Sequence, residues 1–186
     1  MQRAELINCL EQNPVIAAVG DDKWEEALAA PVQVIFYLTA NLLTVAEHVR
    51  QAHAAGRYIL VHLDLAEGIG RDRVGIRYLA QAGVDGIIST RAQLIQLAKE
   101  QGLLTVQRFF LLDSKGLESI GEMLRHTSPH FIELMPGVIC KSIRRFGNGS
   151  IPVIAGGLIE TKAEVMDALG CGAAAVSTGK KELWYL

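Results

Sequence analysis

The chain has 186 residues, half of them hydrophobic, which suffices for one domain with a sizeable core and argues against two domains. Its formal charge of −2 excludes a general attraction to polyanions, so any nucleic-acid contact needs a local basic patch. We find neither a secretory leader at Met1 nor an apolar run long enough to span a bilayer. We therefore expect a cytoplasmic protein with a single domain over residues 1–186.

Short apolar or β-branched runs alternate with helix-like segments along the whole chain. The eight runs are Val15 to Val19, Val32 to Leu38, Tyr58 to Asp64, Val84 to Thr90, Leu104 to Phe110, Phe131 to Pro136, Ile151 to Gly157 and Ala173 to Thr178. The seven helical segments are Asp22 to Ala29, Leu42 to Ala55, Arg73 to Ala82, Arg91 to Gln101, Lys115 to Thr127, Cys140 to Phe146 and Thr161 to Leu169. Three of these segments end at a glycine typical of helix carboxyl termini, namely Gly56, Gly83 and Gly102.

This alternation predicts a parallel sheet, because several runs are apolar almost throughout and carry polar residues at their carboxyl ends. Eight such units predict a small TIM (β/α)8 barrel. The helices must then be short, since this fold usually takes about 250 residues. The alternative is a doubly wound sheet of five or six strands, in which one or two of the runs are loops.

The three cysteines are Cys9, Cys140 and Cys171, an odd number without metal-site or CxxC spacing. This pattern indicates reduced cysteines that serve only in packing.

Two short segments near the carboxyl terminus have the composition of a phosphate-binding site. Ile151 to Gly157 ends in a diglycine, and Ala173 to Gly179 ends in Ser177, Thr178 and Gly179. Glycine allows backbone N–H groups to approach an anion without side-chain obstruction. The two segments fit the last two strand-to-helix loops of a TIM barrel, where phosphate sites commonly lie. The alternative is an ordinary tight turn and a helix cap.

Polar residues at the strand ends provide candidates for the rest of the site. They are His62, Asp64, Ser89, Thr90, Arg91, Gln107, Arg108, Asp113 and Glu133. Asp64, Arg108 and Glu133 are the strongest, because a charge on an apolar strand is costly unless it has a partner or a ligand. The alternative for these three is a structural ion-pair layer in which Arg108 bridges two carboxylates. His62 lies on the same strand face as Asp64 and is equally consistent with a core hydrogen bond.

Several enzyme classes lack their sequence signatures here. We find no Walker A loop, no GxGxxG signature and no Ser-His-Asp order. All seven lysines fall outside the apolar runs, whereas an imine-forming lysine needs a desolvated strand position. The sequence indicates no catalytic residue, no metal site and no cofactor.

Several separate motifs together resemble the glycerol-3-phosphate-responsive antiterminator family. The matching residues are His62 to Leu65 with Gly68, Gly86 to Arg91, Gln107 to Phe110 with Asp113 and Ser114, Glu133 with Pro136 and Gly137, Ala155 to Gly157, and Ser177 and Thr178 with Leu183 and Trp184. They follow the family's order over nearly the whole chain. The resemblance implies a TIM barrel that is a sensor and not an enzyme. Such a sensor binds glycerol 3-phosphate and acts on the leader mRNA of glycerol-uptake genes to prevent termination.

On this reading Gly156, Gly157, Ser177, Thr178 and Gly179 hold the phosphate. Asp64, Arg108 and Glu133, with His62, are expected to meet the glycerol hydroxyls. The RNA candidates are Lys141, Arg144, Arg145, Lys180 and Lys181, which follow the sixth and eighth strands and are placed to form one basic patch around the phosphate mouth. The alternative is that these charges only solvate the surface of the barrel helices. An enzyme acting on a phosphorylated metabolite, such as an isomerase, aldolase or lyase, remains the alternative, with Asp64 or Glu133 as general base.

Five residues, at four places in the chain, depart from the family pattern: Gly20, Ala40 with Asn41, Cys140 and Gly179. The first two lie at strand ends and bear on the identity or affinity of the ligand. The apolar tail of Trp184, Tyr185 and Leu186 is expected to close the barrel bottom, and its alternative is a homodimer interface.

Overall fold

The computed structural model describes residues 3–111 and 114–186, so Asp113 among the sequence candidates lies outside the described residues. It contains eight strands: β1 (Val15–Val19), β2 (Val34–Tyr37), β3 (Tyr58–His62), β4 (Gly86–Ser89), β5 (Leu104–Phe110), β6 (Phe131–Met135), β7 (Val153–Gly156) and β8 (Ala175–Thr178). Each strand pairs in parallel with the next, and β8 pairs with β1. The predicted TIM barrel is confirmed, and the doubly wound alternative is wrong.

The helices are α1 (Arg3–Gln12), α2 (Trp24–Ala29), α3 (Val45–Ala54), α4 (Arg73–Gln81), α5 (Ala92–Glu100), α6 (Ser114–Thr127), α7 (Cys140–Gly147) and α8 (Lys162–Gly170). Helices α2 to α8 correspond to the seven predicted segments. The helices were expected to be short, and α2 has only six residues. After β8 the chain forms a short 3₁₀ helix, Lys181–Tyr185, where a full helix usually stands. In the described residues no helix has the length and apolar character needed to cross a membrane.

The core has two layers, as the alternation of side chains along each strand requires. An inner cluster fills the barrel, with Ile16, Phe36 and Leu60 among its fully buried members. An outer cluster lies between the strands and the helices. The three predicted glycine caps are confirmed, because Gly56, Gly83 and Gly102 adopt φ values of +70°, +89° and +74°.

The barrel bottom is closed by α1 and not by the carboxyl-terminal tail. Leu6 and Leu10 of α1 are buried in the inner cluster. Trp184 is fully buried in the outer cluster, and its Nε1 donates a hydrogen bond to the Thr178 carbonyl 2.9 Å away. Helix α1 was not predicted, because only two of its ten residues are buried and its amphipathic pattern is weak.

The interpretation of Cys140 and Cys171 as reduced packing residues is wrong in this structure, which joins them in a disulfide. Cys140 begins α7 and Cys171 follows α8, and their Cα atoms lie 5.6 Å apart. Because these helices are neighbours in the barrel wall, two residues that are 31 apart in sequence come together. Spacing along the chain gives no sign of this pairing. Cys9 remains a free thiol.

Candidate functional site

A cleft of about 400 Å³ opens at the carboxyl-terminal end of the barrel, and we call it the mouth cleft. Its walls come from the β7–α8 loop (157–160) and from the end of β8 with the loop after it (177–180). Arg108 and Glu133 form part of its floor, and Lys23 lies on its rim. The ends of the two predicted segments, Gly157 and Ser177 to Gly179, therefore line one cavity, whereas the predicted Gly156 is not among its lining residues.

The two loops are fixed to each other by hydroxyl hydrogen bonds. Gly156 pairs in register with Ser177, which brings the ends of β7 and β8 side by side. The Thr178 hydroxyl donates to the Ile159 carbonyl 2.9 Å away and accepts from the Lys180 N–H at 3.1 Å. Thr178 thus connects the two halves of the cleft. A hydroxyl at this position has a structural use even without a ligand.

A buried ion pair forms the floor of the mouth cleft. The Arg108 Nε donates to the Glu133 Oε2 at 2.6 Å, and the Ser177 hydroxyl donates to Oε1 of the same carboxylate at 2.6 Å. Arg108 and Glu133 are only 7% and 1% exposed. Burying a carboxylate this deeply requires partners on both oxygens, and Arg108 and Ser177 supply them.

Gly156 lies beneath this pair and is required by it. A Cβ at position 156 stands 2.5 Å from the Glu133 Oε1 and 2.6 Å from the Ser177 Oγ, which is closer than real contacts allow. The next residue, Gly157, adopts φ +73°, a conformation that glycine reaches without strain. The two glycines therefore act differently. Gly156 leaves space for the ion pair, and Gly157 allows the backbone turn with which the loop begins.

His62 and Asp64 lie behind Arg108 and do not line the mouth cleft. The His62 Nδ1 is 3.5 Å from the Arg108 Nη1, and its Nε2 is 3.7 Å from the Asp64 Oδ2. Asp64 accepts hydrogen bonds from the Ser89 hydroxyl and from the N–H and hydroxyl of Thr90 at 2.7 to 2.9 Å. The structure thus gives Asp64 partners on β4 and the loop that follows it.

The postulated bridge from Arg108 to two carboxylates is therefore only half present. Arg108 contacts Glu133 directly and reaches Asp64 through the His62 ring. Polar side chains thus extend from Ser177 to Thr90 across the barrel, with one break: among the described residues the His62 Nε2 has no hydrogen-bond partner. The buried side chains among them position Arg108 for whatever enters the cleft.

Two charged side chains of the mouth cleft, Lys23 and Glu160, were not among the residues predicted from sequence. The Lys23 Nζ donates to the Gly179 carbonyl 2.9 Å away, and Glu160 forms an ion pair with Lys180 at 3.2 Å. Lys23 follows β1 and so lies at a strand end, which is the signal that identified the other candidates. Arg108 is paired with Glu133, and Lys180 is paired with Glu160. The charge of Lys23 therefore gives the side chains that line the cleft a net charge of one positive.

A model of the glycerol-3-phosphate responsive antiterminators matches residues 15–184, which is nearly the entire chain and includes every strand. The chain belongs to this family.

Similar proteins support this membership. The chain is 34% identical to the uncharacterized protein YgcP of Escherichia coli K12, over 97% of this chain and 96% of that protein. It resembles the crystal structure of a glycerol uptake operon antiterminator regulatory protein from Listeria monocytogenes, with a TM-score of 0.87, 35% identity and coverage of 92% and 95%. A glycerol uptake operon antiterminator-related protein from Thermotoga maritima gives a TM-score of 0.83, 32% identity and coverage of 91% and 96%.

The basic residues predicted to form one patch at the mouth are distributed over different parts of this antiterminator-family barrel. Lys180 lines the mouth cleft, and the Lys181 Nζ pairs with Glu26 at 2.8 Å. Lys141, Arg144 and Arg145 are exposed on α7. Arg145, near the end of α7, lines a different cleft at the amino-terminal end of the barrel. The prediction of a single patch is wrong for Arg145, because α7 runs away from the mouth.

In the described part of the chain, no group of three or more His, Cys, Asp or Glu side chains is arranged to hold a metal ion. The polar side chains that line the mouth cleft are hydroxyls, the Arg108–Glu133 pair, and the charged groups of Lys23, Glu160 and Lys180.

Asp64 makes the stability of the barrel depend on pH in the acid range. Burial raises the pKa of Asp64, but the His62 ring and hydrogen bonds from Thr90 and Ser89 outweigh burial and hold it well below its usual range. Asp64 therefore contributes its full stabilisation of the folded state at pH values above its unfolded-state pKa of about 3.9. This stabilisation is lost as the pH falls below that value.

We predict that Asp64→Asn is less stable than the parent at pH 7. Because its neutral amide no longer titrates, the variant should lose less stability between about pH 4 and pH 2. Urea denaturation at several pH values measures this difference. If the unfolding free energies of the two proteins fall equally as the pH is lowered, Asp64 is not the cause of the acid dependence.

Proposed function

We propose that this chain is a sensor that binds glycerol 3-phosphate in the mouth cleft and prevents transcription termination by binding the leader mRNA of glycerol-uptake genes. The observation that carries the proposal is the single cleft formed by the two glycine- and hydroxyl-rich loops above the Arg108–Glu133 pair. Membership of the antiterminator family supplies the biological setting. Such a regulator acts on nascent RNA, so we place it in the cytoplasm.

The charge of the cleft supports an anionic ligand. The loops 157–160 and 177–180 line the cleft, and Lys23 and Lys180 carry positive charge at the same rim. Backbone N–H groups and lysines are common phosphate donors. We assign the phosphate to these loops, near Gly157, Gly179 and Lys23.

The floor of the cleft supports a hydroxyl-bearing ligand. Arg108 has donors besides the Nε that holds Glu133, and a guanidinium donates to hydroxyl or phosphate oxygens alike. We assign the glycerol portion to the region above Arg108 and Glu133. His62 and Asp64 are positioning residues in this account, since they act through Arg108.

The same contacts disfavour an isomerase or lyase. A general base needs a carboxylate that is free to accept a substrate proton. Both oxygens of Glu133 already accept hydrogen bonds, from Arg108 and Ser177. Asp64 is held by Ser89 and Thr90 and lies outside the cleft. The sensor account requires no cofactor and no turnover.

Transcription in vitro tests the proposal. The template carries a glycerol-uptake leader with its terminator, taken from the same genome as this chain. We expect the protein to change the fraction of full-length transcript only when glycerol 3-phosphate is present, and we expect the ester to be recovered unchanged. Ligand-independent termination, or conversion of the ester to a product, would count against the regulator.

A further inference from the structure

A second cleft, of about 360 Å³, lies at the amino-terminal end of the barrel between α6 and α7, and we call it the amino-terminal cleft. Its residues come from the end of α6, the start of β6, the end of α7 and the loop before β7. It is therefore remote from the mouth cleft, on the face where a TIM barrel usually carries no active site.

The floor of the amino-terminal cleft is apolar and includes an aromatic ring. Leu124, Phe146 and Ile151 are partly buried and pack against the outer cluster while still lining the cleft. The guanidinium carbon of Arg145 lies 5.9 Å from the centre of the Phe146 ring. Unstacked RNA bases stack on aromatic side chains and on guanidinium planes, and this cleft holds one of each.

The rim of the amino-terminal cleft is basic. Arg125 and Arg145 line the cleft and are exposed, and no carboxylate is among the described residues that line it. Within the described ranges, neither arginine has a salt bridge to a carboxylate, unlike Arg50, Arg73 and Lys181, which do.

Two further cations border the same end of the barrel. The Lys99 Nζ donates to the Ser128 carbonyl at 2.7 Å, and the Arg3 Nη2 donates to the Ser150 carbonyl at 2.7 Å, with Ser128 and Ser150 both lining the cleft. These two positive charges affect a neighbouring histidine. Burial lowers the pKa of His130, and the charges of Lys99 and Arg3 lower it further. Positive potential beside an apolar, aromatic floor is complementary to a single-stranded nucleic acid.

We propose that the amino-terminal cleft is the RNA-binding surface of this protein, with a base resting on Phe146 and the phosphates on either side contacting Arg125 and Arg145. This inference rests on the proposed function, because it assumes an RNA partner. It replaces the patch at the mouth with a surface on the opposite end of the barrel, which leaves the mouth free for the small ligand.

The β6–α7 unit joins the two ends. Glu133 of β6 is in the floor of the mouth cleft, and α7 ends with Arg145 and Phe146 in the amino-terminal cleft. The Gly137 N–H, at the start of the β6–α7 loop, donates to the Gly156 carbonyl at 2.6 Å. A ligand that shifts this loop thus acts on the same unit that presents the RNA contacts.

The test measures binding of a fluorescent glycerol-uptake leader RNA as a function of salt, with glycerol 3-phosphate present. In Arg125→Gln/Arg145→Gln we expect the affinity near physiological salt to fall by about 10- to 100-fold, and the slope of log K against log salt to shrink by about 1.4 for two lost phosphate contacts. Phe146→Leu keeps an apolar floor without the ring, and should lose about 10-fold in affinity with an unchanged salt slope.

Arg71→Gln/Arg77→Gln is the matched control, because it removes the same charge from two exposed arginines near and on α4. Stabilisation of each variant by glycerol 3-phosphate reports an intact mouth cleft. As a second measurement, ultraviolet crosslinking of the RNA to the wild-type chain should label the peptide that contains Phe146.

The outcomes separate the two proposals. If the wild-type chain binds no RNA, the proposed function fails and this inference fails with it. If the wild-type chain binds RNA but the Arg125/Arg145 variant matches the Arg71/Arg77 control, only the amino-terminal cleft is excluded. Crosslinks confined to the mouth loops would exclude it too.

Discussion

Replacing Arg108 by methionine is expected to lower the free energy of unfolding by about 3–5 kcal/mol, because it leaves the Glu133 carboxylate buried without its cation. Glu133 is only 1% exposed, so its carboxylate depends on protein partners for its hydrogen bonds. The Ser177 hydroxyl remains as a donor, but a neutral group does not offset a buried negative charge. Chemical denaturation measures the loss.

The double variant Arg108→Met/Glu133→Met separates stability from binding. Removing both charges should recover most of the lost stability, since apolar residues of similar size often replace a buried ion pair without cost. Ligand affinity should stay reduced by about 100-fold, because the charged donor in the floor of the mouth cleft is gone. Strictly additive losses of stability would show that the two side chains do not act as a pair.

Gly156→Ala is expected to disrupt the site with a single methyl group. That methyl group would overlap the Glu133 Oε1 and the Ser177 Oγ, so the carboxylate or the hydroxyl must move. We expect a loss of about 1–3 kcal/mol in unfolding free energy, typical of an overpacked core, together with the loss of measurable glycerol 3-phosphate binding.

Gly121→Ala is the matched control for this substitution. Gly121 lies within α6, where an added Cβ meets no atom within 4 Å. Because alanine is the better helix former, this change should stabilise the protein by up to about 1 kcal/mol and leave binding unchanged. Equal behaviour of the two variants would mean that the space beneath Glu133 is not critical.

Much of the fold was predictable because the signals were local. Each strand is a short apolar run, each of helices α2 to α8 follows one, and the glycines at 56, 83 and 102 mark helix ends. The features that sequence missed depend on distant partners. Helix α1 buries only Leu6 and Leu10, and the disulfide joins residues of two different helices.

The candidate site was predictable for a related reason. In a barrel all strands end at one mouth, so Arg108, Glu133 and Ser177 meet although they are far apart in sequence. Which of the strand-end residues face the cavity was not predictable. Asp64 is turned toward Ser89 and Thr90. Lys23 enters the cleft from a short 3₁₀ helix after β1, and α7 carries Arg145 to the other end of the barrel.

The proposed sensor depends on one property of the mouth cleft, namely that it binds a phosphate monoester that also carries hydroxyl groups. Isothermal titration calorimetry with glycerol 3-phosphate, glycerol and inorganic phosphate tests it most directly, with Gly156→Ala as the disabled variant. We predict saturable binding of the ester, at least 10-fold weaker binding of phosphate and of glycerol, and no binding to the variant. Equal affinity for phosphate and the ester, or unchanged binding to Gly156→Ala, would contradict the account.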